Sequence, residues 1–308
     1  MSLPVRLVVV GPITWDVSLA LAELPADADS AVAWSSRFAA GGKGVNPAVC
    51  AARLGAEVRL VGSVGDDHVA EMVLAQLSAD GIDTRGVCRK PGLATGVIVH
   101  LVQPGGRRRY IESRGANAHT RIDAQAITAM CDPETVMLIS TALPVAAVTA
   151  AVSGARVAGA RIVADLAGTR EASMAALDSA NIVRGDAEEI SHLTGCAITN
   201  FSSAAAAAER LLEHGPEMAV VQAAGDGDLL MDANGELRLP RLPVQVIDPT
   251  GGGDALIATL SVLLASGTGL HQAGRLASAA SAHTVTHLGG RPDFDNIDEL
   301  QNLLAQNG

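Results

Sequence analysis

Four short runs decide the fold: VMLIS at 136–140, RIVA at 161–164, NIVR at 181–184 and MAVVQ at 218–222. The stretches between them have helical character. The clearest is 202–214, which starts on serine and stops at Gly215. A serine hydroxyl can accept a bare N–H at a helix start, and glycine tolerates the left-handed turn at a helix end. The alanine run 204–208 belongs to this helix, because alanine is the strongest helix former. Apolar strands alternating with helices predict a mainly parallel sheet covered on both faces.

The rhythm extends outward in both directions. An apolar run at 6–10 ends at Gly11, helical spacing follows at 47–54, a β-branched run at 58–64, and a helix at 66–77. Beyond 222, the pairs 229–230 and 237–239 flank DANG at 232–235 as a hairpin, and helices are expected near 252–266, 271–286 and 295–306. Two stretches, 12–40 and 95–116, carry short strands and no strong helix. Within the second, 96–102 and 108–112 flank a Pro104-Gly105-Gly106 turn. They predict a small β lid, leaving 1–11, 41–94 and 117–308 as one large α/β domain.

Composition removes several functions. The 308 residues include 33 acidic and 22 basic side chains, a formal charge of −11, with 48% apolar and 2% aromatic residues. Ample apolar side chain argues against disorder. The only dense basic patch is Arg107-Arg108-Arg109, so no nucleic-acid partner is expected. No membrane segment is expected either, since the most apolar stretch, 255–265, falls short of the roughly 20 residues a spanning helix needs. Four scattered cysteines without a CxxC pattern read as reduced thiols of a cytoplasmic protein.

Three motifs carry chemistry. DPTGGGD at 248–254 opens a helix. Glycines at a helix start leave N–H groups bare, and with the helix dipole these make an anion site. Asp254 lies in the first turn, so a carboxylate would stand beside that site, as phosphoryl transfer requires. A plain glycine turn with an acid complementing the dipole fits the same spacing. Gly41-Gly42-Lys43-Gly44-Val45-Asn46 lacks the Ser or Thr of a phosphate-binding P-loop; its glycines allow close backbone approach, and Lys43 and Asn46 could bond a polyol. Asp16 follows the first strand, where α/β sheets put ligand contacts, although a turn aspartate reads the same way.

In this order and spacing the motifs resemble the PfkB carbohydrate kinase family, in its ribokinase-like branch, from about residue 6 to residue 292. GGKGVNPAVCAARLG at 41–55 is similar to the family's first signature and DPTGGGD to its second. Gly115-Ala116-Asn117 is similar to the GAN that closes the family's lid region. The resemblance implies a three-layer α/β fold with a β lid, and ATP-dependent phosphorylation of a hydroxymethyl group with Mg²⁺ and a monovalent cation such as K⁺. It implies Asp254 as catalytic base and Gly251, Gly252 and Gly253 as anion hole. It puts Thr14, Asp16, Gly41, Gly42, Lys43 and Asn46 at sugar-contacting positions, and Asp186, Glu189, Gly225, Thr250 and Ser278 on the nucleotide side. Glu189 would act on Mg²⁺ through the phosphates; Asp248, Thr250, Thr284 and Gly289 fall where the monovalent cation is held.

The chain departs from the family pattern at several positions. Pro249 and Gly252 are mild changes, Asp186 replaces an asparagine near the phosphates, and Ser278 replaces an asparagine beside the adenine. Thr14 and Ala142 stand where two polar sugar contacts are expected, and losing such contacts changes substrate choice. The expected activity is phosphorylation of a primary hydroxyl of a small sugar. The alternatives are a nucleoside (adenosine-like) kinase, a non-catalytic sugar-binding protein of the same fold, and a kinase of phosphorylated sugars that uses Arg107–Arg109. Trp15, Trp34 and Phe38 cluster before Gly41. They could stack on the acceptor, fill the lid core, or join two copies through the lid as a homodimer. His283 and His287, four apart, fit helix packing better than a metal, because no third ligand has recognisable spacing.

Overall fold

The computed structural model describes residues 4–24 and 30–307. The chain opens with β1 (Arg6–Val10), then β2 (Thr14–Ala20), β3 (Ser35–Gly41), α1 (Val45–Arg53), β4 (Glu57–Gly65), α2 (His68–Ala79) and β5 (Asp83–Lys90). A second excursion holds β6 (Gly96–Gln103) and β7 (Arg107–Ser113), and a 3₁₀ turn (Gly115–His119) leads back. Next come α3 (Ala124–Met130), β8 (Thr135–Ser140), α4 (Val145–Val157), β9 (Arg161–Asp165), α5 (Arg170–Leu177), β10 (Ile182–Gly185), α6 (Ala187–Thr194) and α7 (Phe201–Leu212). The chain ends with β11 (Met218–Gln222), β12 (Gly227–Asp232), β13 (Gly235–Pro240), α8 (Gly252–Ala265), α9 (Leu270–Thr284) and α10 (Ile297–Asn307).

Among the described residues the strands form a nine-stranded sheet, ordered β13-β12-β11-β10-β9-β8-β1-β4-β5, and a four-stranded one, ordered β3-β2-β6-β7. In the large sheet the antiparallel pairings are β11–β12 and β12–β13, so β12 alone runs against the other strands. The centre of the sheet is apolar on both faces because both are covered. Leu7 and Val9 of β1 pack into one buried cluster with α1, α2, α8, α9 and α10, whereas Val8 and Val10 pack into another with α3 to α7. Side chains alternate across a strand, so an unbroken apolar run is what a doubly covered strand requires. Strand β5 is absent from the sequence reading. Its residues, DTRGVCRK, are mostly polar because it is an edge strand paired only with β4, where Asp83 holds Arg59 at 2.9 Å.

The small sheet projects from the large one. In β2 burial alternates strictly: Thr14, Asp16, Ser18 and Ala20 are buried, and Trp15, Val17 and Leu19 are half-buried, Trp15 packing against the cluster that holds Leu7 and Val9. Its root is fixed by Asn117, whose Oδ1 accepts the Ile13 N–H at 2.9 Å while its Nδ2 donates to the Ile13 carbonyl at 2.8 Å. One side chain thereby supplies both hydrogen bonds a neighbouring strand would have made. No helix among the described residues is long and apolar enough to cross a membrane.

Candidate active site

Strand β1 lies between β4 and β8, so the chain leaves it in one direction and later returns on the other side. The carboxyl ends of the strands at such a reversal form a crevice, the usual ligand position in open α/β sheets. Here a cavity of about 460 Å³ opens there, roofed by the small sheet. A second of about 130 Å³ adjoins it, and Gln222, Pro249 and Gly253 line both.

One end of the larger cavity is the glycine loop before α8. Gly251 caps the helix with φ of +78°, and a side chain there would strike the Gly290 carbonyl, so glycine is required twice over. Asp254 follows in the first helical turn and is 8% exposed. Its Oδ2 accepts from Asn46 Nδ2 at 2.9 Å, and its Oδ1 lies 3.7 Å from Lys43 Nζ. Burial pushes the Asp254 carboxyl above the ordinary carboxylate range; Lys43 opposes this and Asp165 adds to it.

Lys43 does not stand in the sugar region alone. Its ammonium donates to Asp165 Oδ2 at 2.8 Å and lies 3.9 Å from Glu189 Oε1. Burial works against that charge, yet Asp165, Asp254 and Glu189 outweigh it and hold the Lys43 pKa above the ordinary lysine value. Arg184 shares Asp165, donating from NH1 to Oδ1 at 3.1 Å. Burial would raise the Asp165 pKa, but the two cations keep it below the usual range. Neither Asp165 nor Arg184 was singled out in the sequence, where each reads as the polar end of an apolar run.

Asp186 and Glu189 open α6 as a reciprocal pair. Asp186 accepts the Glu189 N–H and Glu189 accepts the Asp186 N–H, both at 2.8 Å. Aspartate at 186 therefore caps the helix as asparagine would. The Asp-x-x-Glu spacing is the sequence signal for this box. Burial holds the Glu189 carboxyl above its usual range, with Lys43 opposing.

The lid end is different. Thr14, fully buried, turns its hydroxyl onto Asp16 Oδ1 at 2.6 Å, and Gly41 lies against the same carboxylate. His100 of β6 is 3% exposed and lines the cavity, yet neither ring nitrogen has a hydrogen-bond partner. Its Nε2 stands 3.5 Å from Asp16 Oδ2, outside hydrogen-bonding geometry. Arg108, Tyr110, Glu112 and Arg114 also reach the cavity from the lid side. Arg108 donates to Thr250 Oγ1 at 2.7 Å, so the lid touches the glycine loop directly. Ala142 lines the cavity with a methyl group and offers no polar atom of its side chain to a ligand.

The remaining positions sort cleanly. Ser278 lines the smaller cavity with Gln222 and Asp228. Gly225 lines neither cavity and lies exposed in the turn between β11 and β12. Asp248 is fully buried; it accepts from the Thr250 N–H and hydroxyl and, 41 residues away, from the Gly289 N–H at 2.9 Å. The Thr284 hydroxyl instead bonds the Ala280 carbonyl of its own helix. Trp15, Trp34 and Phe38 line neither cavity, and Trp34 and Phe38 are exposed; the aromatic that reaches the larger one is Tyr110. The rings of His283 and His287 are 5.1 Å apart, and no metal-binding cluster exists among the described residues.

Comparison with known proteins gives a single pattern. A family model described as pfkB family carbohydrate kinase matches residues 5–297. Ribokinase of Bacillus subtilis is 28% identical over 299 residues, covering 96% of this chain and 98% of that protein. Deoxyribokinase of Salmonella typhi is 26% identical, covering 92% and 94%. Among solved structures, ribokinase of Arabidopsis thaliana complexed with ribose and ATP superposes with a TM-score of 0.83 at 25% identity, covering 98% and 99%.

Proposed function

The chain belongs to the pfkB family of carbohydrate kinases, and from that premise we propose that it moves the γ-phosphoryl group of ATP to a primary hydroxyl of a small sugar, with Asp254 as general base. The observation that carries this reading is the position of Asp254: buried, bonded to Asn46, near Lys43, and in the same helical turn as the bare N–H groups of Gly252 and Gly253. The acceptor hydroxyl gives its proton to the Asp254 carboxylate while its oxygen bonds the γ-phosphorus. The bond from that phosphorus to the bridging oxygen breaks, and ADP leaves. The glycine N–H groups meet the charge spread over the phosphoryl oxygens. The raised pKa of Asp254 makes it a stronger base than a free carboxylate.

Asp186 and Glu189 are hard oxygen donors at the cavity wall and fit Mg²⁺, which when bound neutralises phosphate charge. Asp248 is a buried carboxylate held only by neutral donors, as a site for K⁺ with Thr250 and Gly289 would be. The acceptor lies toward Asp16, Gly42, Lys43 and Asn46, and ATP extends into the smaller cavity beside Ser278. A phosphorylated sugar is a second reading, favoured by Arg108 and Arg114 on the cavity wall. A nucleoside acceptor would have to stack on Tyr110, since the other candidate aromatics face elsewhere. The exposed apolar side chains of the lid, Trp34 at 59%, Phe38 at 55% and Ile111 at 67%, support our reading that two copies pair through the lid; analytical sedimentation of purified protein at two concentrations tests it.

The deciding experiment is Asp254→Asn assayed with ATP against D-ribose, 2-deoxy-D-ribose, fructose 6-phosphate and adenosine. We expect turnover to fall by about 10²–10⁴ with little change in acceptor affinity. Turnover at the wild-type rate would remove Asp254 from the role. Binding without turnover by the wild type would make the protein a sugar-binding member of the fold.

A further inference from the structure

Strand β10 is buried at every position, and its third residue is an arginine. Arg184 is 5% exposed. Burying a guanidinium is costly unless charges and hydrogen bonds compensate it. Here compensation is incomplete. Asp165 accepts one bond from NH1, but that same carboxylate also holds Lys43, so two cations share one close anion. The buried Nε of Arg184 has no partner at all. Other carboxylates, Glu189, Asp228 and Asp254, act on it only through their fields.

The guanidinium also has a specific neighbour. A Cβ added at Gly253 would collide with the Arg184 guanidinium atoms NH2 and Cζ. The flat cation therefore lies against the last glycine of the loop, and the missing side chain of Gly253 is what admits it. Arg184 and Gly253 line the same cavity. A planar guanidinium with free donors matches phosphoryl oxygens in geometry as well as charge.

We propose that Arg184 is a catalytic residue that binds the γ-phosphoryl oxygens beside the Gly251–Gly253 loop, so that the transferred group is held by backbone N–H groups and by a cation fixed in advance. This rests on the kinase reading above. Asp165 is then a positioning residue, orienting Arg184 and Lys43 together. A tie between β9 and β10 alone would explain the ion pair, but not the unpartnered Nε or the contact with Gly253.

The test measures binding of two magnesium nucleotides by calorimetry, ADP and the non-hydrolysable analogue AMP-PNP, to the wild type, Arg184→Met and Arg184→Lys. We expect Arg184→Met to lose AMP-PNP affinity by about 10- to 100-fold, the size of a hydrogen bond to a charged group, and ADP affinity by much less. Arg184→Lys should recover part of the difference. Equal loss for both nucleotides, or no loss, overturns the proposal. Should the methionine variant not fold, the wild type decides. Its Arg184 Nε–H resonance, assigned by its absence in Arg184→Lys, should shift with AMP-PNP and stay with ADP; the same response to both overturns the proposal. A wild type that binds neither nucleotide overturns the kinase reading itself.

Discussion

At the loop end of the cavity, Lys43, Asp165, Arg184, Asp186, Glu189 and Asp254 each have a charged or hydrogen-bonded protein partner close by. At the lid end, His100 is buried and has no partner on either nitrogen. The first region stands on strands β9 and β10, helices α6 and α8 and, for Lys43, the turn between β3 and α1; the second stands on the small sheet. Phosphoryl transfer needs charges fixed before the reaction, because groups that reorganise during it stabilise the transition state less. An acceptor site can leave donors and acceptors open for the ligand to satisfy. One end is built for a constant partner, the other for a chosen one.

That contrast can be broken by substitution. Asp165→Ala should have the largest effect, about 3–5 kcal/mol of stability, since it strands the buried Arg184 without its anion; chemical denaturation measures it. A smaller loss would mean the loop end is less interlocked than its contacts imply. The acid limb of kcat/KM sharpens the same point. In the role proposed for it, Asp254 must be ionised to accept a proton. Its pKa is raised by burial, so it is protonated at a higher pH than a free carboxylate, and activity should begin to fall above the ordinary carboxylate range as the solution is acidified.

The lid end should answer differently. His100→Leu removes two unsatisfied nitrogens, so stability should stay within about 1 kcal/mol or rise. Acceptor kcat/KM should nonetheless drop about tenfold or more, because the ligand loses a bond it alone supplied. A large stability loss with unchanged kcat/KM would show His100 to be a packing residue. Arg108→Ala should have the smallest effect. Losing one partly exposed bond to Thr250 costs about 1 kcal/mol and should raise acceptor KM a few-fold, leaving the acid limb in place.

The sequence carried the sheet and both glycine loops well, because these depend on local signals: unbroken apolar runs, helix starts, and glycines at fixed spacing. The charges around Asp254 were only half legible. Asp165 meets Lys43 across 122 residues and Arg184 across 19, and nothing in the run RIVAD announces two cations. Asp186 read as a charge added near phosphates, whereas its spacing to Glu189 already spelled a capping box. His100 was hidden by the lid, where alternation decides which residues face inward and the register is set by strands far apart in the chain; Arg108 was legible only as part of the basic run 107–109. Edge strand β5 went unread because an edge tolerates the polar residues that make it look like a loop.

The Asn117 clip has a consequence for how the molecule comes into being. It joins residues 104 apart, and the lid it anchors is made of two segments separated by α1, β4, α2 and β5. Contacts of such long separation are slow to form, since the intervening chain must be ordered first. The phosphoryl-handling groups span further still, Lys43 to Asp165 across 122 residues and Asn46 to Asp254 across 208, so a newly made chain should complete its lid before it holds the groups that handle phosphate.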